Sequence, residues 1–306
     1  MLRKELLKIN MNKYLLSCCS TSDLNVKHYK DRGIRYICFH YFLDGIEHKD
    51  DFGETLPISE FYKKMEQGAM TKTSQLNAQD YYNYFENLIN EGYKEILHLT
   101  LSSGISGTIN SAKIAVNMIN EKYKDVKIYI VDSLAASSGY GLLMDKLADL
   151  KDEGKSIEEV RDWAENNRLS INHWFFSTDL TYFVRGGRIS KTSGFFGNML
   201  HVCPLLNVND EGKLIPREKI IGKKKVINAI VQKMIENAKD GKDYNDYCYI
   251  SHSAVFEDAK AVKDKVEEAF PNLKGKVEIF DIGTTIGSHT GPGTVALFFV
   301  GKERSK

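Results

Sequence analysis

The 306-residue sequence has few of the features that mark export, metal binding or membrane insertion. Its five cysteines include no CxxC pair and one adjacent pair, so neither a disulfide framework nor a zinc site is indicated. No apolar run approaches the roughly 20 residues that a membrane helix needs. The run after Lys13 has only three apolar residues, whereas the core of a signal peptide needs about 7–15. We therefore expect a cytoplasmic protein with no transmembrane segment.

An excess of charge of one sign is also missing. Lys and Arg total 42 against 41 Asp and Glu, which gives a formal net charge of +1. Nucleic-acid-binding proteins usually carry a basic excess on one face, and the basic stretch at 217–225 has no interleaved aromatic residues to stack on bases. The five prolines form no proline-rich linker. We expect no nucleic-acid partner.

Patterning in the first half of the chain predicts a parallel sheet. Strand and helix signals alternate without a hairpin signal, which is typical of βαβ units. The expected strands lie at 13–17, 34–41, 95–100 and 127–132, and the expected helices at about 58–67, 78–91, 108–122, up to about 151, and 157–167. Asn77 and Ser156 are expected to cap two of these helices, and Gly92 to end one.

After about residue 173 short strands dominate the sequence. Two predicted helices, at about 223–239 and 255–269, interrupt them. Runs of strands with few helices indicate an α+β unit with a mostly antiparallel sheet. We therefore predict an α/β protein with an N-terminal α/β domain at 12–172 and a C-terminal α+β domain at 173–306.

The segment LSSGISGT at 101–108 follows a predicted strand and begins a predicted helix. Free N–H groups at a helix N-terminus favour an anionic ligand, and the hydroxyls of Ser103 and Ser106 add donors. A plain helix cap accounts for the same residues equally well. The segment also nearly matches the G-x-S-x-G motif of hydrolases around Ser106, with Thr108 in place of the last glycine. A serine esterase using Ser106 and His289 is therefore the alternative function.

The segment GTTIGSHTGPG at 283–293 is expected to be a rigid loop between two strands. Its histidine, His289, could donate a hydrogen bond to a carboxylate or phosphate, or it could be a structural histidine in a hairpin. The sequence has no GxxxxGK[ST] motif, so a P-loop nucleotide site is not supported.

The segment RGGRISK at 185–191 places Arg185 and Arg188 on either side of two glycines, just before a predicted helical segment. Paired arginines suit a phosphate or a carboxylate-bearing partner, although a solvated helix cap explains them as well. The segment TKTSQ at 71–75 looks by itself like a helix cap without a function. No His, Asp or Glu cluster has the spacing of metal ligands.

Taken in order, the segments TKTSQ, LSSGISGTINSA, IYIVDSLAASSGYG, RGGRISK and DIGTTIGSHTGPGTVALFF resemble the DegV family. The resemblance extends from about Lys13 to Gly301. It implies a bacterial fatty-acid-binding protein, of which some members are the acyl-carrying subunit of a fatty acid kinase. It also implies two domains with the fatty acid held between them.

The resemblance further implies which residues bind the ligand. Thr73 and Ser106, or Ser103, would bind the carboxylate, with His289 nearby. A separate kinase subunit would transfer phosphate from ATP to that carboxylate, so this chain would need no catalytic residue, cofactor or metal of its own. Arg188 and Arg185 are candidates for the face that contacts the kinase.

One position departs from the family pattern. Cys19 stands where the family usually has Asp after its first strand, whereas Asp23 is retained. We therefore expect the turn that follows this strand to be intact. Residues 1–10 are expected to be an extension or the product of an upstream start codon.

Overall fold

Three β-sheets and their flanking helices make up the fold in the computed structural model, which describes residues 14–190 and 202–306. The strands are β1 (Leu15–Cys19), β2 (Ile34–Ile37), β3 (His40–Leu43), β4 (Ile46–Lys49), β5 (Thr71–Ser74), β6 (Glu95–Thr100), β7 (Lys127–Asp132), β8 (Ile171–Ser177), β9 (Val202–Val208), β10 (Leu214–Ile221), β11 (Cys248–His252), β12 (Glu278–Asp281) and β13 (Thr294–Val300). The helices are α1 (Val26–Asp31), α2 (Ile58–Glu66), α3 (Ala78–Asn90), α4 (Thr108–Lys122), α5 (Ser137–Asp152), α6 (Ile157–Asn167), α7 (Thr181–Arg185), α8 (Lys223–Asn237), α9 (Phe256–Ala269) and α10 (Thr284–Thr290).

The first sheet is parallel, as the sequence predicts. Its strand order is β2-β1-β6-β7, and every neighbouring pair is parallel. Five of the six residues of β6 and all of β1 are buried, because helices cover both faces of such a sheet. The predicted helix caps are confirmed: Asn77 and Ser156 each form a capping box with the acidic residue three positions on.

The second sheet has the order β10-β9-β8-β13-β11-β12. All of its pairs are antiparallel except β11 with β12, so the prediction of a mostly antiparallel C-terminal sheet is confirmed. The predicted division between residues 172 and 173 falls inside β8, the first strand of this sheet along the chain. Residue 12, the predicted start of the first domain, lies outside the described residues, and the division stays a prediction.

A third sheet, β4-β3-β5, was not predicted. Asp44 and Gly45 join β3 to β4 with φ values of 50° and 83°, as the type I′ turn of a two-residue hairpin requires. The expectation of no hairpin in this half was therefore wrong, although Asp-Gly is a standard hairpin signal. The strand predicted at 34–41 is divided between two sheets. Between β2 and β3, the Phe39 amide donates to the Ser20 hydroxyl over 3.0 Å instead of forming a backbone hydrogen bond to a neighbouring strand.

The segment at 283–293 is a short helix rather than the predicted loop. The side chain of Asp50 accepts hydrogen bonds at its first residue, from the Thr284 amide (3.2 Å) and hydroxyl (2.8 Å). The helix ends at Gly291, whose φ of 68° is one that glycine adopts without strain. Because the capping carboxylate lies 234 residues away in the sequence, no local pattern could indicate it.

The segment TKTSQ is likewise a strand, β5, rather than the predicted helix cap. Arg185 ends helix α7, directly before the two glycines. The helical segment expected after Arg188 falls within 191–201, outside the described residues.

Candidate functional site

A cavity of about 450 Å³ lies between the parallel sheet and the six-stranded sheet. It is bounded by β5, the loop before α4, the start of α5, β8, α7, α10 and β13. Its volume is within the range of roughly 300–1,000 Å³ that is typical of small-molecule sites. Much of its wall is apolar and includes Phe39, Leu101, Phe175, Phe183, Ile282 and Phe298. The cavity therefore suits a ligand with a substantial hydrocarbon part.

Thr73 and His289 form a hydrogen-bonded pair in the wall of this cavity. Thr73 Oγ1 and His289 Nε2 are 2.7 Å apart, and both residues line the cavity. Thr73 is on β5 and His289 is on α10. A second bond, from the Thr71 hydroxyl to the Ser288 carbonyl (3.2 Å), joins the same two elements. The small third sheet thus positions one side of the site, and the unpredicted helix positions the other.

The His289 ring is enclosed on its other edge. Its Nδ1 is buried with no hydrogen-bond partner among the described residues. A Cβ atom at Gly186 would lie 2.2 Å from Nδ1, so glycine at that position leaves room for the ring. Burial and the nearby positive charge of Arg188 lower the pKa of His289 to about 3. The ring is therefore neutral at physiological pH.

A neutral histidine has one N–H, and its position decides what Thr73 can do. If Nε2 carries the proton, it donates to Thr73 Oγ1, and the threonine O–H is free to donate to a ligand. If Nδ1 carries the proton, the threonine must donate to Nε2 and has no donor left. Only the first tautomer leaves the Thr73 hydroxyl free to donate to an anion.

Ser106 also lines the cavity, whereas Ser103 does not. The Ser106 hydroxyl accepts a bond of 3.3 Å from the Thr108 amide at the start of α4. Ser106 therefore satisfies one N–H group at the start of α4, where Gly107 is the N-cap residue, and it is also part of the cavity wall. Ser103 is exposed, and its amide donates to Asp132 Oδ1 over 3.1 Å. The structure brings Thr73, Ser106 and His289 to one cavity and leaves Ser103 outside it.

The two arginines have different surroundings. Arg188 is half-buried in the cavity wall, where its Nε donates to the Ile105 carbonyl (3.2 Å) and its Nη1 to the Gly186 carbonyl (2.5 Å). No carboxylate among the described residues forms an ion pair with it. Arg185 is exposed, and its guanidinium lies 5.3 Å from the ring centre of Tyr182. Both arginines line the cavity, Arg188 half-buried and Arg185 exposed to solvent, so either is placed to meet an anionic ligand.

Asp50 does not line the cavity, but it supports the helix that carries His289, and the sequence did not reveal it. It is buried, and it accepts bonds from Thr284 and from the Ser20 hydroxyl (2.9 Å). Burial raises its pKa, and the bonds from Thr284 and Ser20 oppose that rise. By holding the first residue of α10, Asp50 fixes the helix that carries His289. It lies after an edge strand with no motif around it, so no sequence signal marked it.

The unusual residue Cys19 lies outside the cavity lining. It is fully buried, with its sulfur 3.3 Å from the Tyr81 hydroxyl and 3.7 Å from His98 Nε2. Burial raises its pKa to about 11, so the thiol is neutral. The turn that follows is formed: the Asp23 amide donates to the Ser20 carbonyl over 3.1 Å. The cysteine therefore replaces the usual aspartate without opening the turn.

Within residues 14–190 and 202–306, no three His, Cys, Asp or Glu side chains are grouped so that they could hold a metal ion. Of the helices in this part of the chain, none has both the length and the apolar character to cross a membrane.

Comparison with known proteins gives one consistent result. The profile described as "uncharacterised protein, DegV family" matches residues 19–302. A DegV domain-containing protein of Clostridium perfringens is 37% identical over 291 residues, which is 95% of this chain and 98% of that protein. Among solved structures, a DegV family protein of Thermus thermophilus described as binding fatty acid matches with a TM-score of 0.82 and 26% identity, over 94% of this chain and 99% of that one. The Fatty Acid Kinase (Fak) B3 protein of Streptococcus pneumoniae, solved with linoleic acid, has a TM-score of 0.79 at 22% identity, over 94% of this chain and 99% of that protein.

Proposed function

The chain belongs to the DegV family, and we propose that it binds a long-chain fatty acid in the cavity and presents the carboxylate to a separate ATP-dependent kinase subunit. The observation that carries the proposal is the cavity itself, in which an apolar wall adjoins a group of hydroxyls, the neutral His289 and the cationic side chains of Lys72, Arg185 and Arg188. A fatty acid has the matching two parts. The fatty acid described for the Thermus thermophilus relative supports this choice of ligand.

The polar residues have the chemistry that a buried carboxylate needs. A carboxylate that leaves water must keep charge-assisted hydrogen bonds. The hydroxyls of Thr73 and Ser106 supply donors, and the Arg188 guanidinium supplies a positive charge that no described carboxylate neutralises. In this proposal Arg188 compensates the charge of the ligand, and His289 sets the direction of the Thr73 O–H.

The apolar part of the cavity accounts for most of the binding free energy. Each methylene group that is transferred from water to an apolar site contributes about 0.8 kcal/mol. A chain of many methylenes therefore outweighs the net contribution of the carboxylate bonds, which is about 1.5–3 kcal/mol for each bond to a charged group. The carboxylate bonds fix the orientation of the ligand, with the carboxylate beside Arg188.

The presentation step rests on two further observations. The fold is shared with the Streptococcus pneumoniae Fatty Acid Kinase B3 protein, and the sequence lacks a P-loop motif. ATP would therefore be bound by the partner, which would transfer a phosphoryl group to a carboxylate oxygen and give an acyl phosphate and ADP. Of the two arginines predicted to contact the kinase, the exposed Arg185 fits that role better than the half-buried Arg188.

The alternative function, a serine esterase using Ser106 and His289, fits the geometry less well. No hydrogen bond joins Ser106 to His289, and no described carboxylate orients the ring as a triad requires. The pKa of His289, about 3, is also far from the value near 7 that suits a general base.

A reconstituted kinase assay tests the presentation step. With a bacterial fatty acid kinase subunit, ATP and a fatty acid, we expect acyl phosphate to form only when this protein is present. When the protein is saturated with fatty acid, Arg185→Glu should lower the rate of formation, and Lys274→Glu, the same kind of charge reversal at an exposed position outside the cavity lining, serves as the control. Equal loss of affinity and rate in Arg185→Glu would contradict the assignment of Arg185 to the partner surface.

A further inference from the structure

Ser102 is a fully buried serine of the segment LSSGISGT that does not itself line the cavity. Its hydroxyl donates to the Gly212 carbonyl oxygen over 2.8 Å and accepts from the Gly104 amide over 3.1 Å. Gly212 belongs to the turn between β9 and β10. This one hydroxyl therefore joins the loop before α4 to the six-stranded sheet.

The backbone of Ser102 also determines the course of the loop. Its carbonyl oxygen accepts hydrogen bonds from the amides of Ile105 (3.2 Å) and Ser106 (3.1 Å). Together with the bond from Gly104, three successive loop amides are thus bound to Ser102. Because these amides already have a partner, Ser106 can bind a ligand through its hydroxyl, which is able to donate while its oxygen accepts.

The loop and the turn lie in direct contact because Gly104 has no side chain. A Cβ atom at this position would lie 2.4 Å from the Glu211 carbonyl oxygen and 2.6 Å from the Gly212 carbonyl oxygen. Both are backbone atoms, which cannot move aside as the end of a flexible side chain can. A side chain at position 104 would therefore separate the loop from the turn and lengthen the bond from Ser102 to Gly212.

The turn that accepts this bond is itself held in place. Asn209 Oδ1 accepts from the amides of Glu211 (3.1 Å) and Lys213 (2.9 Å), and the Asn209 carbonyl oxygen accepts from Arg304 Nη1 (2.8 Å). Asn209 and Arg304 are both buried. Ser102 is therefore anchored to a well-supported point of the six-stranded sheet.

The loop and the turn both contribute to the cavity wall. Leu101, Ile105 and Ser106 line the cavity from the loop, and Val208 and Leu214 line it from the two strands that the turn connects. The bond from Ser102 to Gly212 thus joins two parts of the wall, one of which carries the Ser106 hydroxyl.

We infer that Ser102 is a positioning residue for the Ser106 hydroxyl: its own hydroxyl holds the loop to the turn at Gly212, and its carbonyl oxygen holds Ser106 within the loop. The inference rests on the proposed function, because it assumes that Ser106 donates to the carboxylate of a bound fatty acid. Removal of the Ser102 hydroxyl should therefore weaken recognition of the carboxylate and leave binding of the acyl chain intact.

A comparison of two ligands with the same acyl chain tests this inference. Palmitic acid and methyl palmitate differ in that only the acid has a carboxylate, and each would displace a fluorescent fatty acid from the delipidated full chain. Ser102→Ala should lower the affinity for palmitic acid about tenfold and leave that for methyl palmitate within about twofold of the parent, where tenfold corresponds to about 1.4 kcal/mol. Gly104→Ala should give the same selective loss, because it separates the loop from the turn with Ser102 in place.

Ser22→Ala is the control for the loss of a buried serine hydroxyl. Ser22 is also fully buried, its hydroxyl donates to the Cys19 carbonyl oxygen over 2.9 Å, and it does not line the cavity. We expect this variant to keep the parent's ratio of affinities for the two ligands. In a protein that already carries Ser106→Ala, Ser102→Ala should lower palmitic acid affinity little further, because the hydroxyl that it positions is gone.

Three results would overturn the inference: equal losses for both ligands in Ser102→Ala, unchanged binding of both, or losses that add to those of Ser106→Ala. If Ser102→Ala binds neither ligand, Gly104→Ala decides, since a selective loss supports the inference and a parallel loss overturns it. A parent protein that does not bind palmitic acid would instead refute the proposed function. A parent that binds the acid leaves the proposed function standing whatever the variants do.

Discussion

Thr73 Oγ1 and His289 Nε2 are 2.7 Å apart although the two residues are separated by 216 positions in the chain. The pair joins an edge strand of a small antiparallel sheet to a seven-residue helix. In the Nε2–H tautomer of the neutral ring, Thr73 accepts a hydrogen bond from Nε2 and its own O–H is free to donate to a ligand. The proposed carboxylate site thus depends on two elements that local sequence patterns did not predict.

Removal of the Thr73 hydroxyl should weaken binding without changing the shape of the cavity. Thr73→Val is nearly isosteric and lacks the donor, so we expect fatty-acid affinity to fall by about 1.5–3 kcal/mol, the net contribution of a hydrogen bond to a charged group. Isothermal titration calorimetry on delipidated protein measures this directly. Thr73→Ser, which keeps the hydroxyl, is the control, and an equal loss in both variants would mean that the methyl packing matters and the hydroxyl does not.

Two serines of one loop should behave differently. Ser106 lines the cavity and Ser103 is exposed. We expect Ser106→Ala to lower fatty-acid affinity by about 1.5–3 kcal/mol, and Ser103→Ala to bind like the unchanged protein. The same calorimetric titration distinguishes them. An equal loss of affinity in both variants would contradict the proposed position of the carboxylate, because Ser103 does not line the cavity.

Gly186 should be needed only because His289 lies against it. A Cβ atom at 186 would be 2.2 Å from His289 Nδ1, so Gly186→Ala should displace the ring and lower affinity. In a protein that already carries His289→Ala, the same glycine substitution should cost little more. The double-mutant cycle measures this coupling. Additive losses would show that Gly186 acts on the backbone of α7 rather than on the histidine.

The buried, neutral His289 should make the folded protein sensitive to acid. Its pKa is about 3 in the folded state and about 6.5 when unfolded. Between these values the unfolded chain binds the proton more readily, so the contribution of this residue to stability is lost as the pH falls through that window. Relative to His289→Gln, the parent should lose up to about 1.4 kcal/mol of unfolding free energy per pH unit. Urea unfolding at pH 7 and pH 5 tests this, and parallel pH profiles for the two proteins would contradict it.

Much of the architecture could be predicted because its signals are local. Alternating strands and helices indicated the parallel sheet, and the capping boxes at Asn77 and Ser156 fixed two helix starts. The third sheet was missed although Asp44-Gly45 carried a hairpin signal. Helix α10 was missed because its cap, Asp50, reaches it across 234 positions.

The site was predicted by resemblance rather than by residue chemistry. The order of the motifs led to Thr73, Ser106 and His289, which do line one cavity, whereas TKTSQ alone suggested only a helix cap. The exposure of Ser103 and the cavity position of Arg188 depend on packing between distant segments. The spacing and composition of residues along the chain do not reveal such contacts.

The central claim is that the cavity holds one fatty acid, and native mass spectrometry of the protein purified from bacterial cells tests it most directly. We predict a mass increment of one long-chain fatty acid per chain, identified after extraction, with its occupancy reduced in Thr73→Val. A protein that carries no fatty acid and takes none up when incubated with a mixture of long-chain acids would contradict the account.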